Sequence, residues 1–206
     1  RPFAVSPDER LARRRAWGFG AEVSHVVLVF GGSQGARAIN VAMQAWAAAG
    51  LPEGLGVIWA TGRGGWEAFG ATTAPRVVVR PYLDPITDAY AVADLAVTRA
   101  GAMTIAELCA WGIPSVLVPL PTAAADHQTR NARALAATGA AVLLPQAELD
   151  AGALQATLTQ LVAQRETLAR MAIAALGRGR PDAARQIAQR ILSIVRERAA
   201  LLMSPA

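Results

Sequence analysis

The chain contains no lysine, a single cysteine and no apolar run long enough to cross a bilayer as a helix. A membrane-spanning helix needs roughly 18 or more consecutive apolar residues. The longest candidates here, such as Ile113–Leu120, are strand-length and interrupted by proline. One cysteine, Cys109, cannot close an internal disulfide, which suits a reducing compartment. Its Ala/Leu-rich surroundings predict a small buried hydrophobe. Two histidines and one cysteine, widely spread, offer no metal-ligand spacing, so neither a metal site nor a cofactor is expected. Charged residues are scarce at 17% against 53% hydrophobic, which excludes a disordered chain and predicts a well-buried α/β domain.

The net charge of +5 is carried by arginine alone. These arginines are scattered and are not interleaved with aromatics, so a nucleic-acid-binding platform is not expected. The densest cluster is Arg10, Arg13, Arg14 and Arg15. It reads as a solvated helix face, with contact to an anionic membrane surface as the alternative. The sequence begins Arg1-Pro2-Phe3, with no initiator methionine and no hydrophobic signal segment, and is expected to be part of a longer protein.

Short β-branched runs alternate with longer Ala/Leu-rich stretches. Strands are predicted at Val26–Phe30, Val57–Ala60, Arg76–Arg80, Leu95–Thr98, Ser115–Val118 and Ala140–Leu143. Helices are predicted at Ala36–Ala49, from about Met103 to Trp111, at His127–Ala137, and from Asp150 onward. The last stretch breaks at Gly177-Arg178-Gly179-Arg180 and restarts at Pro181-Asp182. Beyond that, Ile187, Ile191, Ile194 and Val195 form one apolar stripe at helical spacing. Alternation of this kind implies βαβ crossovers and a Rossmann-like, doubly wound parallel sheet of about six strands, with ligands at the strands' carboxyl ends. The expected division is a leading segment over 1–20, a nucleotide-binding body over 21–180, and a C-terminal amphipathic helix and tail over 181–206.

Three segments carry the chemistry. The first, Gly31-Gly32-Ser33-Gln34-Gly35-Ala36-Arg37, follows a strand and opens a helix. Its glycines permit a tight turn, the helix start offers unpaired N–H groups to an anion, and Ser33 adds a hydroxyl donor. It is neither a Walker loop nor a G-x-G-x-x-G fingerprint. A ligand-free strand-to-helix turn is the plainer reading. In the second, Arg99-Ala100-Gly101-Ala102-Met103-Thr104-Ile105-Ala106-Glu107, a glycine again precedes a helix start. Ala102, Met103 and Thr104 would offer N–H groups to a diphosphate and Glu107 would accept from ribose hydroxyls. A capping box formed by Thr104 and Glu107 fits the same spacing equally well. The third, Asp126-His127-Gln128-Thr129-Arg130-Asn131, opens another helix with side chains suited to sugar hydroxyls, Gln128 above all. His127 and His25 read as polar residues at element ends, without a catalytic partner.

Taken together, the strings GGSQGARAIN, RAGAMTIAEL and DHQTRNA, in this order and spacing, resemble the C-terminal domain of the MurG family, the family 28 GT-B glycosyltransferases. The resemblance runs from Arg1 to about Val195. It implies one half of a GT-B fold, with two Rossmann-like domains facing each other and the C-terminal one holding UDP-N-acetylglucosamine. It further implies that Ser33 meets the diphosphate and that the backbone of Leu83 meets the uracil. Ala102, Met103, Thr104, Ile105, Ala106 and Glu107 would surround diphosphate and ribose, with Gln128 on the sugar and Arg1 near the base. The implied reaction is a metal-independent, inverting transfer of N-acetylglucosamine to a lipid-linked muramoyl-pentapeptide, in peptidoglycan synthesis at the cytoplasmic face of the bacterial inner membrane. The acceptor site and catalytic base are expected in an N-terminal domain that this sequence lacks, so the chain alone would bind donor without transferring it. Another GT-B enzyme, a UDP-N-acetylglucosamine epimerase or a non-catalytic nucleotide-binding module are the alternatives.

Overall fold

Six parallel strands build one sheet in the order β3-β2-β1-β4-β5-β6, in a computed structural model that describes residues 5–203. The strands are β1 (His25–Phe30), β2 (Leu55–Ala60), β3 (Val77–Arg80), β4 (Leu95–Thr98), β5 (Ser115–Leu117) and β6 (Ala141–Leu143). The helices are α1 (Pro7–Ala16), α2 (Arg37–Ala49), α3 (Trp66–Phe69), α4 (Thr87–Tyr90), α5 (Ala102–Trp111), α6 (His127–Ala136), α7 (Ala151–Ala163), α8 (Arg165–Arg178) and α9 (Ala183–Met203). Arg1, expected near the base, lies outside the described residues.

Both faces of the sheet are covered, which is why β1, β2 and β4 read as unbroken apolar runs. On one face, Val27 and Val29 of β1 join Val57, Trp59, Leu95 and Val97, packed against Ile39, Met43 and Trp46 of α2 and Leu154 and Leu158 of α7. On the other, Val26, Leu28 and Phe30 join Ile58 and Ala96 against Tyr90, Leu108 and Ile113. A third cluster holds buried Cys109 with Leu117, Leu135 and Ala175, so this cysteine is the small core hydrophobe expected.

The strand order reverses at β1 and β4, which are neighbours in the sheet but the first and fourth strands in sequence. The crevice at such a switch point lies outside the carboxyl ends of the two strands. The loops that leave β1 and β4 are the first two sequence motifs, so topology alone brings Gly31–Ala36 beside Arg99–Gly101.

The Arg10–Arg15 cluster corrects the sequence expectation of a solvated helix face. Arg10 and Arg14 turn inward from α1 and both pair with Asp94, at 2.8 and 2.6 Å. Arg13 pairs with Glu9 and Asp88, and of the four only Arg15 faces solvent without an ion pair among the described residues. The α9 stripe is where the sequence places it, but Ile187, Ile191, Ile194 and Val195 are all exposed rather than packed on the sheet domain.

Candidate functional site

The β1–α2 turn is shaped by close approach. A Cβ on Gly31 would overlap Ala36, and one on Gly35, where φ is 84°, would overlap the Thr61 carbonyl. Glycine at these positions lets the turn fold back on the start of α2 and press against the end of β2. Asn40, one turn into α2, fixes this arrangement from below. It donates to the Thr61 carbonyl at 2.7 Å and accepts from the Trp59 indole at 3.0 Å. Nothing in its sequence position marked Asn40 as more than a helical polar residue.

Neither α2 nor α5 has a side-chain cap at its start. The first-turn N–H groups of both helices therefore remain available at the switch point, a ready arrangement for an anion. The N-cap of α5 is Gly101, in extended conformation, so Thr104 lies inside the first turn. That excludes the capping-box reading of Thr104 and Glu107, because a capping threonine must precede the helix.

These helix starts line a cleft of about 1100 Å³. Gly31, Gly32 and Ala36–Ala38 line it together with Arg99, Gly101 and Thr104 and with Leu120, Gln128 and Asp150. All three sequence motifs thus contribute to one cavity at the carboxyl end of the sheet. A smaller cavity of about 380 Å³ opens at the amino ends of β1 and β4, by His25 and Asp94, where Asp94 is already paired with Arg10 and Arg14.

Gln128 accepts a hydrogen bond from the Leu120 amide through Oε1 at 3.0 Å, which leaves its NH₂ group as the donor for the cleft. Asn131 donates to the Ala100 carbonyl at 3.0 Å and so ties α6 to the β4–α5 turn. Before α6, Ala125 and Asp126 both adopt left-handed backbone, with φ of 50° and 51°. For non-glycine residues this costs about 1–2 kcal/mol each, and it sets the entry of α6 so that Gln128 faces the cleft. His127 is exposed and its ring bonds locally to the Ala124 carbonyl at 2.8 Å; His25 does the same with Ser24 Oγ at 3.0 Å. Neither has the environment of a general base. Arg99 is half-buried, and loss of hydration draws its guanidinium below the ordinary arginine range.

Other expected residues fall outside the cleft lining. Ser33 sits exposed on the turn, its carbonyl accepting from the Arg63 amide at 3.0 Å. Ala102, Ile105 and Ala106 turn toward Cys109 and Asn131, lining a separate hollow between α5 and α6. Met103 points outward and is 74% exposed. Glu107 accepts from the Tyr90 hydroxyl at 2.8 Å, on the side of the sheet where Leu83 is buried beside Phe30 and Tyr90. Burial, and then the Glu107 carboxylate, push the Tyr90 phenol well above its usual range. The β4–α5 turn therefore has the cleft on one flank and the Leu83–Tyr90–Glu107 group on the other.

The model of the glycosyltransferase family 28 C-terminal domain matches residues 26–187. A Salinibacter ruber protein, UDP-N-acetylglucosamine–N-acetylmuramyl-(pentapeptide) pyrophosphoryl-undecaprenol N-acetylglucosamine transferase, is 47% identical over 84% of this chain and 47% of its own length. A transferase of the same name from Halorhodospira halophila is 45% identical over 89% of this chain and 50% of its own. The chain thus spans about half the length of the curated relatives it matches. Among solved structures, Acinetobacter baumannii MurG superposes with a TM-score of 0.72 at 32% identity, over 88% of this chain and 53% of that one. The chain belongs to glycosyltransferase family 28, whose C-terminal domain it carries.

Proposed function

We propose that this chain is the donor-binding half of a transferase that moves N-acetylglucosamine from UDP-N-acetylglucosamine to a lipid-linked muramoyl-pentapeptide. The observation that carries the reading is the convergence of three separated motifs on one cleft at the β1/β4 switch point, walled by the first turns of α2, α5 and α6. The diphosphate lies across the β4–α5 turn, within reach of the uncapped starts of α2 and α5, with Ser33 and Thr104 adding hydroxyl donors. On one flank the Leu83 backbone meets the uracil and Glu107 the ribose; on the other Gln128 holds the sugar. The acceptor hydroxyl attacks the anomeric carbon and UDP leaves with inversion. Helix-start N–H groups stabilise the charge that grows on the departing diphosphate. The base that takes the acceptor's proton, and the acceptor site itself, belong to a second domain.

A peripheral position at the cytoplasmic face of the inner membrane, on an anionic surface, goes with this substrate pair. Among the described residues no helix is long and apolar enough to cross a membrane. The body that binds the donor is residues 21–180.

Calorimetry with UDP and UDP-N-acetylglucosamine, with and without EDTA, tests the reading. Both ligands are expected to bind equally well in the chelator, because the diphosphate is met by backbone N–H groups. Strict dependence on a divalent ion would remove this assignment of the helix starts. A second measurement locates the sugar. Since Oε1 of Gln128 is already engaged by Leu120, Gln128→Ala removes one donor to the sugar. It is expected to weaken UDP-N-acetylglucosamine by about 1 kcal/mol, the worth of one hydrogen bond, and UDP hardly at all. Equal losses for both ligands would move Gln128 out of the sugar pocket.

A further inference from the structure

Arg99 follows β4 directly and lines the cleft, and its guanidinium makes no ion pair among the described residues. Its hydrogen bonds all go to neutral acceptors. One Nη donates to the Val118 and Pro119 carbonyls, both at 3.1 Å, and the other donates to Gln146 Oε1 at 2.7 Å. These acceptors belong to two different segments, the turn that follows β5 and the stretch that leads into α7.

The Pro119 bond has a geometric consequence. The Pro119 carbonyl and the Leu120 N–H are the two polar groups of a single peptide unit. Such a unit is planar, with its C=O and N–H pointing in opposite directions. Fixing the oxygen fixes the direction of the hydrogen, and that hydrogen is the one donated to Gln128 Oε1 at 3.0 Å. The Gln128 carboxamide is thereby set with its oxygen bound and its NH₂ group turned to the cleft. Arg99 and Gln128 do not touch, yet they are joined through one rigid peptide.

We propose that Arg99 is a positioning residue for the sugar end of the donor, acting through the Pro119–Leu120 peptide on the orientation of Gln128. The inference rests on the donor-binding reading above. A planar fork is needed at this position, because one side chain must serve the β5–α6 turn and Gln146 at the same time. Lysine would keep the charge but present a single ammonium that cannot span both. The same uncompensated charge also favours an anion in the cleft, and Arg99→Lys leaves that contribution in place.

The test compares the wild-type chain with Arg99→Lys in two ways. In the ligand-free protein, amide hydrogen exchange at Leu120 is expected to be about tenfold faster in the variant, because its hydrogen bond to Gln128 is no longer held in line. With ligand, affinity for UDP-N-acetylglucosamine is expected to fall about fivefold, the loss of one well-placed hydrogen bond. Affinity for UDP is expected to stay within about twofold. Arg99→Gln, which shortens the side chain and removes its charge, serves as the companion if the lysine variant melts early. It must show the same loss on the sugar nucleotide beyond any loss on UDP. Unchanged Leu120 exchange, or equal weakening of both ligands, would overturn the positioning role while leaving the donor reading intact. A wild-type chain that binds neither ligand would overturn the donor reading and this inference with it.

Discussion

Replacing Glu107 with glutamine is expected to weaken UDP binding tenfold or more, on the order of 1.4 kcal/mol, with little change in the melting temperature of the ligand-free chain. As a ribose ligand, Glu107 accepts bonds that form only in the complex, and a charged acceptor makes each worth roughly 1.5–3 kcal/mol. Its Oε2 is committed to the Tyr90 hydroxyl, which holds the carboxylate in one orientation and leaves Oε1 for the ligand. Glutamine preserves an oxygen for Tyr90, so the buried phenol keeps its partner and the fold keeps its stability. Tyr90→Phe is the complementary change. It retains the carboxylate and the ring contacts with Phe30 and Trp111 but frees Glu107 to rotate, and a smaller loss of affinity follows. The deciding ligand is 2′,3′-dideoxy-UDP, which has no ribose hydroxyls and should bind wild type and Glu107→Gln equally weakly. A Glu107→Gln variant that melts early and binds UDP normally would make Glu107 a support for Tyr90 and nothing more.

Of the two readings of Glu107 that the sequence left open, one structural detail removes the capping box, the position of the helix start. A capping box needs Thr104 before the first turn, whereas Gly101 occupies the cap and α5 begins at Ala102. Sequence pattern leaves helix boundaries less certain than the helix itself, and for the capping box the boundary was the whole difference. Strands were more legible. Leu95–Thr98 lies where the apolar run ends against Arg99, and the Val26–Phe30 run gained only His25. Buried parallel strands leave this signature because both of their faces are apolar. The short helices α3 and α4 are four residues each and leave no periodic pattern. Convergence of the three motifs was implied by strand alternation and the switch-point rule, but which side chains reach the cleft was not. Helical geometry put Thr104 there and turned Ile105 and Ala106 away, and it left Ser33 on the rim. The contacts of Arg99 and Asn131 span 19 and more residues to partners on other elements, and no local pattern announces them.

The inward turn of the α1 arginines was equally invisible, because their partner Asp94 lies about eighty residues away. Asp94→Asn is expected to destabilise the chain by about 3 kcal/mol, the low end of the cost of breaking a buried ion pair, because both pairs here are part-buried. That corresponds to a fall in melting temperature of roughly 6–12 °C at this size. Asp94 stands just before β4 and bonds in three directions. Oδ1 accepts from Arg10, and Oδ2 accepts from Arg14 and from the Val26 amide at the start of β1. Backbone bonding closes the junction, with the Asp94 amide donating to the Val26 carbonyl at 2.8 Å. Burial draws the Arg14 guanidinium below its ordinary range, the Asp94 carboxylate opposes that shift, and neighbouring Arg10 adds to it. Among the described residues the Nε groups of both arginines are buried without a partner, and Asp94 supplies the only negative charge paired with these two part-buried cations. Asparagine keeps the shape and one acceptor oxygen but leaves both cations uncompensated. Helix α1 should then detach first, exposing its arginines to trypsin, while β1 and β4 remain paired. The junction lies at the amino end of β4 and the proposed donor site at its carboxyl end. Well below the melting temperature, UDP affinity should therefore stay within about twofold of wild type. Melting within 2 °C of wild type, on the order of 1 kcal/mol or less, would show that these pairs behave as exposed surface bridges.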